Sequence, residues 1–261
     1  MMRRILAVLS LSAWGALALY AAPGVEIREL ENEARARVTA GVSYKPVKGL
    51  TLKLSEQIRL KENFATLDRL NTDAEAHYKV CRYLRVGVSY RFMAVYKAGA
   101  DLTSSYWTLR HRAACHVTGL YAVNRWHLSL RERFQSTWRD EEVTNLRERR
   151  VPEFCLRTRF KAEYHCFSKP LQPYASLELY SPLGRTDYLA EAEETTSYRH
   201  WAFNAMYTRV GLQWRLDAHN FLDFSYCLAA ARKVDVGKKS GDIRVTPSLE
   251  HIVGVAYSYQ F

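Results

Sequence analysis

Residues 126–139, WHLSLRERFQSTWR, place apolar and basic side chains in alternation. The even positions are mainly apolar: Trp126, Leu128, Leu130, Phe134 and Trp138. The odd positions are polar and mainly basic: His127, Ser129, Arg131, Arg133, Gln135 and Arg139. A period of two is the repeat of a β-strand, whose successive side chains point to opposite faces. The stretch therefore predicts a strand with one apolar and one charged face, longer than the usual length of about five or six residues.

The same alternation recurs along the rest of the chain. It is clear in LTLKLSEQIRL from Leu50, YLRVGVSYRFMAVY from Tyr83, EFCLRTRFKAEYHCF from Glu153 and HIVGVAYSYQF from His251. Weaker versions cover residues 33–44, 70–81, 105–118, 172–181, 200–216 and 219–233. These segments together predict eleven strands and an all-β protein. After the N-terminal segment, only residues 190–194 are compatible with a turn of helix.

The predicted connections are alternately short and long. Short ones include KPVKG after Tyr44, SKPLQP after Phe167 and LDAHN after Arg215. Longer polar ones cover residues 61–69, 97–104, 140–151, 182–199 and 234–249. Outer-membrane barrels have short periplasmic turns and longer extracellular loops. The alternation in length therefore favours an antiparallel transmembrane β-barrel.

The alternative all-β architecture is a soluble sandwich. A sandwich turns its apolar faces inward to a shared core, whereas a barrel in lipid turns them outward. In a sandwich, arginines such as Arg131 and Arg157 would form a solvated surface. Aromatic residues near both ends of several apolar faces, such as Trp126 and Trp138, match the two interfacial girdles of a membrane barrel. We therefore predict the membrane barrel.

The expected number of strands is about twelve, within a range of 10–12. If KPVKG is periplasmic, the strand at residues 33–44 starts on the outer side, while the C-terminal strand ends in the periplasm. Eleven strands then conflict with the even number that is the rule in bacterial barrels. Two hypotheses would restore an even number. In one, residues 24–31 form a short extra strand; in the other, one of the predicted loops contains a further strand.

The first residues, MMRRILAVLSLSAWGALALYAAPG, resemble a secretory signal peptide. Arg3 and Arg4 precede an apolar run at residues 5–20, and small residues such as Ala21 and Ala22 offer cleavage positions. A membrane anchor is the alternative, but a spanning helix needs about 20 apolar residues. We expect a cleaved signal peptide at residues 1–22, a barrel domain at residues 23–261 and a location in the cell outer membrane.

The charge of the chain is strongly positive. Thirty-eight Lys and Arg against 27 Asp and Glu give a net charge of +11. Such a charge is typical of nucleic-acid-binding proteins, but an exported protein does not meet nucleic acid. We expect outer-membrane lipid and the barrel-assembly machinery as partners of a monomeric protein.

The polar faces of the predicted strands would line the lumen. The candidate lumen residues are Arg59, Arg85, Arg91, Arg131, Arg133, Arg157, Arg159, Glu163 and Glu178. One interpretation is a structural ladder of Arg–carboxylate pairs that fills a narrow barrel. The other is a small pore or cavity, in which arginines favour small anionic solutes.

An outer-membrane lipid-modifying or hydrolytic enzyme is the alternative function. The histidines are dispersed and form no HExxH or GxSxG arrangement, and His127 with Ser129 is the nearest approach to a base and a nucleophile. The five cysteines, with no CxxC pair, are expected to be small apolar side chains of the sheet. We predict no enzymatic activity, no catalytic residues, no metal and no cofactor.

Two carboxylates, Glu56 and Glu132, fall on the apolar face by strict alternation. A carboxylate that faces lipid is costly. We expect either a β-bulge that shifts the register at these residues or a location near the membrane interface.

The strands resemble, in order and spacing, the family catalogued as domain of unknown function 2490, bacterial outer-membrane β-barrels. The resemblance covers about residues 32–261 and includes the arginine-rich central strands, Glu178 after PYAS and the terminal aromatic residue. It implies an outer-membrane protein of Gram-negative bacteria without an established activity. The C-terminal Phe261, with Tyr257 and Tyr259, also resembles the signal that the outer-membrane assembly machinery reads.

Overall fold

Twelve strands form one sheet that closes on itself in the computed structural model of the chain. The strands are β1 Val25–Ile27, β2 Glu31–Tyr44, β3 Leu50–Lys61, β4 Thr66–Cys81, β5 Leu84–Lys97, β6 Tyr106–Val123, β7 Trp126–Asp140, β8 Glu153–Tyr164, β9 Leu171–Leu183, β10 Ala205–Arg215, β11 Asn220–Val236 and β12 Ile243–Gln260. All eleven strands predicted from alternation are present, and the all-β barrel is confirmed.

The structure describes residues 25–97, 106–140, 153–166, 170–183, 203–236 and 243–261. The predicted signal peptide at residues 1–22 and the predicted helical turn at residues 190–194 lie outside them. In the described ranges, no helix has the length and apolar character that crossing a membrane requires.

The wall of the barrel has eleven strands, because β12 pairs directly with β2. Neighbours from β2 to β12 are antiparallel, but Ser248–Gln260 of β12 runs parallel to Glu31–Ser43 of β2. The wall is therefore not antiparallel at its seam, and its eleven strands lie within the predicted range of 10–12, with β1 as the twelfth strand of the sheet. The reason is topological: β2 starts at one end of the barrel and β12 finishes at the other, so they run in the same direction.

The short strand hypothesised within residues 24–31 is confirmed as β1. It pairs in parallel with residues 243–245 of β12, beyond the point where β2 begins. β1 therefore continues the line of β2 along the same edge of β12 and adds no further strand to the wall.

The two ends of the barrel differ in their connections. One end, called here the short-turn end, carries the tight connections at residues 45–49, 82–83, 124–125 and 216–219. The connections at the other end lie mostly outside the described residues. The exception is a turn at residues 62–65, where the longer segment 61–69 was predicted. Residues 243–249, also predicted within a connection, belong to β12.

The turn at residues 62–65 is short because its backbone enters the left-handed region at Glu62, Asn63 and Phe64. Asn63 then bonds to Ala34 of β2: its N–H donates to the carbonyl oxygen at 3.1 Å, and its Oδ1 accepts from the N–H at 3.1 Å. This docking on β2 compensates for a conformation that residues other than glycine rarely adopt. The turn contains no glycine. Its sequence is recognisable only by its polarity, which predicted a longer loop.

The outer face of the wall is apolar over much of its length. Val38, Val88 and Leu130 have relative exposures of 53%, 58% and 51%, respectively. The inward face is the reverse, since Arg133 and Arg157 are buried at 6% and 8% exposure. This inversion of a water-soluble protein is the arrangement of a barrel that presents its apolar side to a nonpolar environment.

Aromatic pairs flank this apolar band at both ends. At the short-turn end, ring centroids lie 5.1 Å apart in the Trp126–Tyr164 pair and 6.5 Å apart in a pair of Tyr44 with Phe261. At the opposite end, Tyr96 and Trp107 lie 5.4 Å apart. The structure therefore has the two aromatic belts that the sequence indicated.

The outward carboxylates Glu56 and Glu132 were expected at a bulge or near the interface, and the structure shows neither. The register runs without a break past both residues, and both lie near the middle of their strands. Each accepts a hydrogen bond from a threonine directly across the next strand: Glu56 from Thr72 at 3.0 Å and Glu132 from Thr158 at 2.9 Å. A local hydroxyl partner thus offsets part of the cost of each exposed carboxylate.

Candidate functional site

Four arginines form a block on the inner face of β7 and β8. Arg131 lies opposite Arg159, and Arg133 lies opposite Arg157, in the antiparallel register of these strands. Like charges directly across a strand pair repel each other unless a carboxylate joins them. The carboxylate of Glu178 on β9 joins two of the four arginines. Its Oε1 accepts from Nη2 of Arg131 at 3.0 Å, and its Oε2 accepts from Nη2 of Arg157 at 2.8 Å.

A second carboxylate joins strands that are not neighbours. Glu75 on β4 accepts from Nη2 of Arg133 on β7 at 2.9 Å, although β5 and β6 separate these strands in the wall. Such a contact is made only across the inner space of the barrel. Together with the Glu178 pairs, it forms a belt of ion pairs near mid-height, called here the central ion-pair layer: Glu75, Arg131, Arg133, Arg157 and Glu178.

Two histidines, His77 and His116, extend this layer. They contact each other in the space over Gly87 of β5. Nε2 of His77 lies 3.1 Å from Oε2 of Glu75, and Nδ1 of His77 lies 3.0 Å from Nε2 of His116. His77 and His116 lie on β4 and β6, and β5 passes between them with Gly87 at the crossing. A Cβ at Gly87 would lie 2.6 Å from Nε2 of His116, so only glycine leaves room for this contact.

A similar crossing occurs at Gly211 on β10. Its absent Cβ would fall 2.4 Å from Cζ of Tyr174, which reaches over from β9. The Tyr174 hydroxyl donates to Oδ1 of Asp223 on β11 at 2.9 Å. Glycines on the inner face therefore leave space in which side chains from the two flanking strands meet. The alternation of residue types along one strand does not reveal these contacts.

Other predicted lumen arginines have local partners. Arg91 pairs with Asp73 on the adjacent strand at 2.5 Å. Arg59 donates from Nε to Oε1 of Gln57 at 2.6 Å. The predicted Glu163 pairs with Lys161 at 2.5 Å. Part of the inner face thus contains Arg–carboxylate pairs, while Arg85 and Arg159 make no ion pair within the described ranges.

Two cavities occupy the lumen at the short-turn end. Their volumes are about 750 Å³ and 800 Å³, within the size range of small-molecule sites. They share the lining residues Lys53, Glu75, His77, Lys79, Arg85 and Gln213, and residues of the 45–49 turn line the first. The two cavities therefore form one space that reaches the short-turn end, called here the vestibule.

The cations of the vestibule lie along an arc of the wall from β3 to β8, whose two ends face each other across the lumen, and the vestibule also has an uncharged side. Lys53, Lys79, Arg85 and Arg159 line it, and in the described part of the chain none of them pairs with a carboxylate. The uncharged side comprises residues of β2, β10 and β12: Thr39, Ser43, Gln213, Ser258 and Gln260. The site can therefore attract negative charge on one side and offer hydrogen bonds on the other.

The candidate base, His127, contacts another histidine rather than Ser129 in the described part of the chain. The His127 ring stacks on His165 with centroids 3.9 Å apart, and the described residues contain no hydrogen bond between His127 and Ser129. No cluster of three or more His, Cys, Asp or Glu suited to a metal occurs in the described ranges. All five cysteines are free.

The C-terminal aromatic residues lie beside the seam. The backbone N–H of Phe261 donates to the carbonyl of Ser43 on β2 at 2.9 Å, and its ring lies 4.8 Å from that of Tyr259. The Tyr257 hydroxyl donates to Oδ1 of Asn220 at 2.5 Å. Phe261 is 65% exposed, and its role as an assembly signal remains a prediction.

A solved structure and a protein family are similar to this chain. A solved structure described as a NanC porin in a rhombohedral crystal form is similar, with 13% sequence identity and a TM-score of 0.44, over 74% of this chain and 85% of that chain. No curated protein matches the chain. The family model for "Protein of unknown function (DUF2490)" matches residues 32–233, from the start of β2 into β11. This match confirms the resemblance of the strands, and the chain therefore belongs to the DUF2490 family.

Proposed function

We propose that this protein is an outer-membrane β-barrel whose lumen admits small anionic solutes. The observation that carries the proposal is the surplus of cations in the vestibule, where Lys53, Lys79, Arg85 and Arg159 lack carboxylate partners among the described residues. A structural ladder would pair its cations, as the central ion-pair layer does. Unpaired cations around an open space raise the local concentration of anions.

The membrane location is supported by the outer surface. An apolar band exposed around the wall and aromatic pairs at both ends match a barrel in lipid. The expected signal peptide at residues 1–22 would bring the chain to the periplasm, from which such barrels are inserted. The short-turn end, and with it the mouth of the vestibule, would then face the periplasm.

The ladder and the pore belong to different heights of the same lumen. The central ion-pair layer narrows the barrel, because the Arg133–Glu75 pair spans strands separated by β5 and β6. The vestibule below it remains open. Passage of a solute would therefore be controlled at the central layer, after it has gathered in the vestibule.

The location is tested by two observations on the full chain. Folded protein in detergent should migrate differently on a gel before and after boiling, and cell fractionation should recover it with outer membranes. Identical migration together with recovery in the soluble periplasmic fraction would overturn the membrane assignment.

The activity is tested by recording refolded protein in planar bilayers. We expect discrete conductance steps and a reversal potential that favours chloride over potassium in a KCl gradient. The double variant Lys53→Gln with Arg85→Gln should weaken this preference more than Lys97→Gln, which removes a cation outside the vestibule, at the opposite end of the β5 strand that carries Arg85. Silence of correctly folded protein, with hydrolysis of added lipid, would instead favour the enzyme.

A further inference from the structure

Cations from opposite walls approach each other in the vestibule. Lys53 on β3, Arg85 on β5 and Arg159 on β8 line the same cavity of about 800 Å³. Four strands separate β3 from β8 in one direction around the wall and five in the other, so Lys53 and Arg159 come from opposite sides of the lumen. The carboxylate directly across from Lys53 in the strand register is Glu75.

The carboxylates near these cations already have partners. Glu75 binds Arg133 and His77, and Glu163 binds Lys161. Lys53, Arg85 and Arg159 thus converge on a space where the described residues leave no free carboxylate to balance them. Like charges held together in this way repel each other, and a bound anion removes the repulsion.

The guanidinium of Arg159 is also short of hydrogen bonds. Among the described residues no hydrogen bond involves its terminal nitrogens, whereas Glu178 binds those of the neighbouring Arg131 and Arg157; the buried Nε atoms of all three lack an acceptor there. Buried polar groups are normally satisfied, and a guanidinium fork matches the paired oxygens of a phosphate or carboxylate. The group therefore has capacity for an external acceptor.

We infer that the vestibule is a binding site for a small multivalent anion, a phosphate ester, polyphosphate or polycarboxylate, held between Lys53 and Arg85 on one wall and Arg159 on the other. This inference rests on the proposed function, because the anion must be able to enter the lumen. A monovalent ion neutralises one wall only, whereas an anion with two separated charges neutralises both. The uncharged side would accept the remaining polar groups of the solute.

The experiment measures binding of inorganic pyrophosphate to the full refolded chain in a zwitterionic detergent by calorimetry. We expect saturable binding with one ion per chain, at least tenfold tighter than that of orthophosphate and absent for chloride. Citrate tests whether the site takes polycarboxylates as well. Lys53→Gln with Arg159→Gln should weaken binding at least tenfold, whereas Lys97→Gln, with the same loss of charge outside the vestibule, should bind like the wild type.

The gel shift on boiling confirms that each variant is folded, and Arg85→Gln replaces the double variant if the latter does not refold. Added to one side of a bilayer, pyrophosphate should block conductance from the short-turn side only.

An anion-selective channel that does not bind pyrophosphate would overturn this inference and leave the proposed function intact. Binding to a folded protein that conducts nothing would overturn the passage of solutes and leave the site. Equal binding by Lys97→Gln and the vestibule variants would overturn the assigned residues.

Discussion

The central ion-pair layer and the vestibule use the same kinds of residue with opposite results. In the layer, Glu178 bridges Arg131 and Arg157, and Glu75 binds Arg133, all with little exposure to water. In the vestibule, Lys53, Lys79, Arg85 and Arg159 face an open space without carboxylate partners among the described residues. Both regions have an inward basic strand face, so the difference arises from where the few inward carboxylates lie.

The comparison shows that a charge pattern does not define a role. An arginine in the layer narrows the lumen, because its partner reaches across from another strand. An arginine or lysine in the vestibule leaves its charge available to a solute. Variants that remove a partner should therefore affect stability, and variants that remove an unpaired cation should affect selectivity.

The largest effect is expected from Glu178→Gln. The change leaves Arg131 and Arg157 buried without their shared counter-charge, and breaking a buried pair typically costs about 3–5 kcal/mol. The free energy of unfolding, from denaturant titration in detergent, should fall by that amount. The control Glu153→Gln breaks a pair whose carboxylate is 69% exposed and should cost less than about 1 kcal/mol. Equal losses in the two variants would remove the distinction between the layer and an ordinary surface pair.

Gly87→Ala tests the junction between the two regions. The added methyl group would meet His116 at 2.6 Å and the carbonyl oxygen of Ala76 at 2.8 Å, and overpacking of this kind costs about 1–3 kcal/mol. The matched change Gly119→Ala meets its nearest atom at 3.9 Å and should stay within about 0.5 kcal/mol of the wild type. The same unfolding titration measures both, and a neutral Gly87→Ala would show that the histidines do not need to meet over β5.

Lys53→Gln should have little effect on stability. This lysine has no carboxylate partner in the described ranges and lies near other cations, so its loss should change the free energy of unfolding by no more than about 0.5 kcal/mol. The anion preference of the conductance should nevertheless decrease. A loss of stability as large as that of Glu178→Gln would mean that the vestibule is a structural layer too.

The smallest effect is expected at the turn after β10, outside both regions. Hydrogen bonds from the backbone N–H of His219, and from Asn220, hold the pKa of Asp217 below its ordinary value of 3.8. A lowered folded-state pKa contributes stability above the unfolded-state pKa, and this contribution is lost as the pH falls through the folded-state pKa. The free energy of unfolding should therefore decrease slightly as the pH falls below 5, by about the effect of one exposed carboxylate.

Asp217→Asn removes that proton uptake and should flatten the pH dependence in this range, as followed by unfolding titrations at several pH values. Identical slopes in the wild type and the variant would show that other carboxylates account for the acid sensitivity.

The placement of the strands was predictable because each has a period of two and one apolar face. Arg157 and Arg159 alternate with Leu156 and Phe160, so they point inward once the apolar face points outward. The tight connections of the short-turn end were also predictable, from the length of the polar segments there. The turn at residues 62–65 was not, because it depends on Asn63 docking against Ala34, far away in the sequence.

The contacts across the lumen could not be predicted. Alternation determines the face of a side chain, but it does not say which residue of a distant strand lies at the same height. The Glu75–Arg133 and His77–His116 contacts depend on the stagger of the strands and on the space left by Gly87. The histidines therefore seemed dispersed in the sequence, although two of them meet in the fold.

An all-β barrel with an apolar exterior and an arginine-rich interior follows from the amino-acid pattern alone, because strand geometry converts a period of two directly into two faces. The closure of the wall with eleven strands through a parallel seam, and the carboxylate partner of each paired cation, follow from the folded barrel. Closure and stagger are set by all the strands together. Pairing inside the barrel follows from their relative heights, which no single strand encodes.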